Sequence, residues 1–134
     1  MSEKFLARHT TASLYTLLKE GKVSVACPLT KKWAKTLSAE FKSGACHAGQ
    51  YETSIVMAAA PELVDEAMRT TLAPVPVSLS EKLAAGVTTF TAMGMELAYA
   101  GDPAAATVEE GEQLILRLAE MVVGEVREAV GLPS

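Results

Sequence analysis

The chain has 134 residues, 49% of them apolar and 5% aromatic, and 12 Lys and Arg against 16 Asp and Glu give a net charge of −4. That length suits one domain burying roughly 68% of its unfolded surface, while the acidic balance and the scarcity of aromatic rings exclude nucleic acid as an expected partner. Met1-Ser2-Glu3-Lys4-Phe5-Leu6 lacks the pattern of a signal peptide and no run has the apolar length of a membrane span, so a cytoplasmic protein with no membrane partner is expected.

In chain order, His9 to Glu20 places Leu14, Leu17 and Leu18 at helical spacing and ends at Gly21, which predicts a helix with a glycine stop. Val23-Ser24-Val25-Ala26-Cys27, closed by Pro28, predicts a short strand. Thr30 is placed to N-cap a second helix through Trp33, Leu37 and Phe41, ended by Lys42-Ser43-Gly44. A third helix begins near Glu52 and is interrupted by Pro61, and Ala73-Pro74-Val75-Pro76-Val77-Ser78 is extended because each proline disfavours helix at the residue before it. Ser80 to Ala85 predicts a short helix stopped by Gly86, and Val87-Thr88-Thr89-Phe90-Thr91 predicts a strand. Thr107 with Glu110 fits a capping box, and Ile115, Leu118, Val122, Val126 and Ala129 recur every three or four residues up to Gly131, so a long amphipathic helix follows. Strands alternating with helices predict an α/β layered fold in a single domain over residues 1–134. Cys27 and Cys46, the only cysteines, read as reduced thiols.

Between the second and third helices lies Ser43-Gly44-Ala45-Cys46-His47-Ala48-Gly49-Gln50-Tyr51-Glu52-Thr53-Ser54. A histidine in a small-residue loop and a glutamate five positions on put two proton-handling groups at one helix N-terminus. A histidine can take up and release a proton near neutral pH, which makes His47 a candidate proton-handling residue; a surface or satisfied core histidine is the ordinary alternative. Three roles are open to Glu52: orienting the imidazole, holding substrate, or favouring the helix macrodipole. Cys46 beside His47 raises a thiol nucleophile, and Cys27, Cys46 and His47 raise a zinc site. Neighbouring side chains in an extended loop point apart and the spacing fits no closed zinc pattern, so both rank below the histidine reading.

The order His47-Ala48-Gly49-x-x-Glu52-Thr53-Ser54 resembles the catalytic signature of the creatininase family, metal-dependent amidohydrolases that open cyclic amides or cleave related C–N bonds. Pro61-Glu62-Leu63-Val64 and Gly101-Asp102-Pro103 with Ala106-Thr107 are similar to later stretches of that family, so the resemblance runs over residues 22–130. It implies a creatininase-like α/β fold, a pair of divalent metals (Zn, Mn or Mg) activating a bridging water, His47 passing a proton to the leaving nitrogen, and Glu52 as the signature glutamate. The family's Glu-x-His pair and aspartate, from its N-terminal half, have no counterpart here. His9-Thr10-Thr11 aligns with a later His-x-Glu pair, with threonine in place of the carboxylate, and Gly44 and Cys46 fall where some members carry acidic residues. The resemblance therefore implies the C-terminal half of the fold, metal ligands supplied by another chain, a homo- or hetero-oligomer, and a small-molecule amide as substrate. The alternatives are a non-catalytic homologue kept as a small-molecule-binding or assembly subunit, and a truncated product without independent function; neither needs a metal.

Overall fold

The computed structural model describes residues 25–45 and 47–132. The chain divides into two compact units, Leu29–Leu118, and Met1–Pro28 together with Ala119–Ser134. The helix expected over residues 9–20, with His9, and Val23, Ser24 and Cys46 lie outside the described residues.

Most short helices in the larger unit start where a side-chain oxygen takes up an early backbone N–H. α1 (Lys31–Ala34) is the exception, since Thr30 stands at its N-cap without a side-chain capping bond; α2 (Ala39–Ser43) follows Ser38, whose Oγ accepts from Phe41 N at 3.3 Å. One helix from Thr30 through Phe41 is the sequence expectation; the Ser38 cap opens a second helix instead, because a serine hydroxyl offers the backbone a competing partner. Gly44 ends α2 in the left-handed region at φ 79, as its position predicts. α3 (Gln50–Ala59) gives way at Pro61 to a single 3-10 turn, Pro61–Leu63, and α4 (Glu66–Arg69) starts at the Asp65 cap. α5 (Leu79–Ala84) starts at the Ser78 cap.

Neither expected strand forms among the described residues. Residues 25–27 have no regular structure, and at 87–91 Thr89 caps a helical turn, α6 (Phe90–Met93), by accepting from Ala92 N at 3.4 Å. Strand propensity reports fit to a pleated neighbour, and with no ladder to join, the capping bond of the threonine decides the conformation. The α/β expectation is therefore corrected for the described residues: they are helices joined by irregular segments, with isolated antiparallel bridges between His47 and Ala100 and between Val75 and Gly101.

The long helix is present as α7 (Val108–Ala129). Thr107 Oγ1 accepts from Glu110 N at 3.1 Å, which is half of the expected capping box. The other half is replaced: Ser54 Oγ accepts from Thr107 N at 3.1 Å, and Glu110 Oε2 accepts from Gln50 Nε2 at 2.5 Å. The buried face is also displaced by one position. Gly111, Leu114 and Met121 are buried and Leu118 is half-buried, whereas Ile115, Val122 and Val126 of the expected stripe are 38%, 49% and 55% exposed. Both stripes satisfy the helical period, and the choice between them follows from Gly111: a Cβ there would stand 1.9 Å from Ser54 O, so only glycine allows α3 to come this close.

Leu37, Tyr51 and Leu114 form one core cluster, with Phe41, Ile55 and Leu118 packed against it. A second gathers Val75, Val77, Leu79 and Val87 around Met93, Met95 and Ala100. The segment 99–103 links many of these parts. Tyr99 donates its hydroxyl to Ala73 O at 2.5 Å, Ala100 pairs with His47, Gly101 pairs with Val75, and Asp102 N reaches Glu40.

Candidate active site

The N-cap of α3 is Gly49, which offers no side chain to the first N–H groups of the helix. Their acceptor comes from α2. Glu40 Oε1 accepts from Gln50 N at 2.9 Å, Glu40 Oε2 accepts from Tyr51 N at 2.6 Å, and Oε1 also accepts from Asp102 N at 2.7 Å. A carboxylate at this end also suits the helix macrodipole. Two glycines make the room. A Cβ on Gly49 would lie 2.7 Å from Glu40 Oε1 and 2.5 Å from Ala100 O, and a Cβ on Gly101, which has φ +110, would lie 2.2 Å from the same carboxylate oxygen. The glycine of His-Ala-Gly and the glycine of Gly-Asp-Pro therefore close around one side chain. Sequence reasoning misses Glu40 because it belongs to no motif; those two glycines are its only trace.

The signature residues sit on this frame. His47 is fixed through its backbone, donating from N to Ala100 O at 3.2 Å and accepting at O from Ala100 N at 2.7 Å. Its half-buried ring lies against Phe90, with centroids 4.9 Å apart. Glu52 is exposed, and its Oε2 accepts from Ala48 N at 2.7 Å; Thr53 Oγ1 donates to Ala48 O at 3.3 Å. Between them they hold Ala48 at φ 49, a left-handed conformation that costs a residue with a Cβ about 1 kcal/mol. Of the roles open to Glu52, the observed bond is that of a helix-start carboxylate bracing the residue next to His47. The structure thus brings His47 and Glu52 to one turn; Glu52 and Thr53 bond to Ala48 within it, and Ser54 Oγ accepts from Thr107 N at the start of α7.

A cleft of about 360 Å³ opens beside α3, with Val56, Leu63, Met68 and Leu72 among its apolar walls and Glu52 and Asp65 among its polar ones. Ala48 and Glu52 bring the signature to it, whereas His47 is not part of its lining. Arg69, buried in its wall, donates to Pro103 O and Ala104 O, both at 2.8 Å, and pairs with Glu66. The hydrogen bond from Arg69, helped by its charge, holds the Glu66 carboxyl below its ordinary value, and the same hydrogen bond raises Arg69.

Among the described residues no group of three or more His, Cys, Asp or Glu could hold a metal ion, so these residues do not by themselves fit a divalent metal. Cys27 is a half-buried thiol; Cys46, the other cysteine of the zinc set, and His9 lie outside the described residues. No helix among the described residues is long and apolar enough to cross a membrane.

A family model described as Creatininase, creatinine amidohydrolase, matches residues 3–126. The chain belongs to the creatininase family. The match begins upstream of residue 22, where the resemblance read from the sequence starts, and it takes in the whole turn from Glu40 to Ser54 and the Gly101-Asp102-Pro103 segment. Creatininase membership carries amidohydrolase-type chemistry that is generally metal-dependent. No curated protein and no solved structure gives a match.

Proposed function

We propose that this chain is an amidohydrolase acting on the C–N bond of a cyclic amide or related small molecule, and that it works in a homo- or hetero-oligomer whose partner chain contributes the metal ligands. The observation that supports this reading is the braced turn from His47 to Glu52, the family signature held in one conformation by Glu40, Ala100 and Ala48. A divalent metal, when bound, supplies an activated water. The residues of this chain do the rest. A ring nitrogen of His47 holds the proton that passes to the leaving nitrogen, and its backbone pairing with Ala100 and its contact with Phe90 keep the imidazole from wandering. The apolar cleft beside Glu52 takes the body of the substrate. An assembly is supported by the exposed Ile115, Val122 and Val126 along α7, apolar surface that association would cover. The layered α/β fold and the single domain over residues 1–134 belong to this proposal as well.

A second reading, a non-catalytic small-molecule-binding or assembly subunit, is favoured by one observation: Glu52, Thr53 and Ser54 are all engaged in bonds that shape the fold. Hydrolysis of cyclic amides by the assembled, metal-loaded protein separates the two. On the enzymatic reading His47→Ala lowers turnover by about 10²–10⁴-fold with little change in melting temperature, and Cys46→Ala does far less. An unchanged rate per folded molecule in the His47 variant removes the catalytic assignment and leaves the binding role.

A further inference from the structure

Away from the signature, α1 and α2 border a second groove of about 420 Å³ with a different chemistry. Its cationic lining is Lys31, Lys35 and Lys42, and its apolar lining includes Leu29, Ala34 and Phe41; no carboxylate side chain is among the described residues that line it. This is an unusual concentration in a chain of net charge −4. Lys31 and Lys35 stand four residues apart, a spacing that puts both on one side of a helical turn, where like charges repel. None of the three forms an ion pair among the described residues. Among the described residues nothing neutralises that repulsion, and a bound anion would.

The apolar wall is preformed. Phe41 packs against the cluster of Leu37, Tyr51 and Leu114, and its ring lies 4.8 Å from that of Tyr51, so its position does not wait on a ligand. Leu29 at the rim is 75% exposed, an aliphatic surface with little cover. Ser80 adds a hydroxyl to the lining, 3.2 Å from that of Ser78. Charge alone would suit any anion; charge set beside a fixed phenyl ring and an exposed leucine suits an anion that also carries an apolar body.

We propose that this groove binds a small organic anion, its phosphate or carboxylate head among Lys31, Lys35 and Lys42 and its apolar body against Phe41, Ala34 and Leu29. The proposal is independent of the hydrolase reading, since it uses neither His47 nor Glu52. Trp33, the single tryptophan of the chain, lies on α1 between Lys31 and Lys35 and serves as a reporter. The test titrates the full chain at low salt with phenyl phosphate, inorganic phosphate and phenol, following Trp33 emission and, in parallel, heat by calorimetry. Phenyl phosphate binds saturably and roughly tenfold more tightly than either inorganic phosphate or phenol, because only it engages both linings. The triple variant Lys31→Gln, Lys35→Gln, Lys42→Gln loses about tenfold or more of that affinity while keeping the wild-type circular dichroism, as exposed substitutions do. Should the triple variant fail to fold, the single variants are expected to weaken binding stepwise. The proposal is overturned if no phenyl phosphate binding saturates at millimolar concentration, if the variants bind as the wild type does, or if inorganic phosphate or phenol binds as well as phenyl phosphate.

Discussion

The starts of α3 and α7 solve one problem in opposite ways. α7 takes the cap of its first turn locally, from Thr107 Oγ1 to Glu110 N, with Ser54 adding only the bond to Thr107 N outside the helix, and its helical character is evident from periodicity alone. α3 begins at a glycine and takes its first two acceptor contacts from Glu40, which also holds Asp102, 62 residues further on. A locally capped helix keeps its start when its surroundings change. A helix capped from another element is only as well placed as that element, and the signature of this family lies on the second kind.

The comparison breaks most sharply at Glu40. Glu40→Ala leaves three N–H groups without their acceptor, and with part of that loss recovered by water the expected destabilisation is about 3–5 kcal/mol by chemical denaturation. A change below about 1 kcal/mol would show that the turn is held by something else. Next in size is Leu114→Ala, which empties a buried position and should cost about 3 kcal/mol. Its neighbour Ile115→Ala should cost less than about 1 kcal/mol, because Ile115 is already 38% exposed. Equal losses at the two positions would restore the stripe expected from the sequence. Gly111→Ala follows at about 2 kcal/mol, since the new methyl meets the Ser54 backbone and α3 must give way.

The smallest effect is one of pH. The folded-state carboxyl of Glu66 is lowered from an ordinary value of 4.5, chiefly by the hydrogen bond from Arg69. Its contribution is therefore complete above pH 4.5 and is lost as pH falls through the lowered value. Because Glu66 is exposed, the slope in that acid window is shallow and screened by salt. Denaturation midpoints measured below pH 4.5 should fall less steeply in Glu66→Gln than in the wild type.

Much of this architecture is legible in the sequence because it is local. Gly44, Pro61, Gly86 and Thr107 punctuate the helices as their chemistry requires. The misreadings arise where a tertiary partner decides. Thr89 and Phe90 have strand propensity and form a capped helical turn, because the described residues offer no ladder for them to join. The face of α7 is set by the approach of α3 at Gly111, and the period alone cannot distinguish two stripes one residue apart. In the site, His47 and Glu52 stand out through their spacing, whereas Glu40 is an ordinary helical glutamate until the fold brings Gly49 and Gly101 around it.

The reach of the Glu40 clasp also bears on the order in which the molecule assembles. The bonds Glu40 to Asp102, Ser54 to Thr107 and Gln50 to Glu110 close loops of 62, 53 and 60 residues. Their closure entropy is lost before the contacts repay it, so the turn that carries His47 should be among the later parts to form. In native-state hydrogen exchange, the amides of Gln50, Tyr51 and Asp102, which share one carboxylate, should then open together as a single cooperative unit. A cut anywhere in residues 60–98 would separate the two ends of that unit, and the family signature would lose its shape without losing a residue.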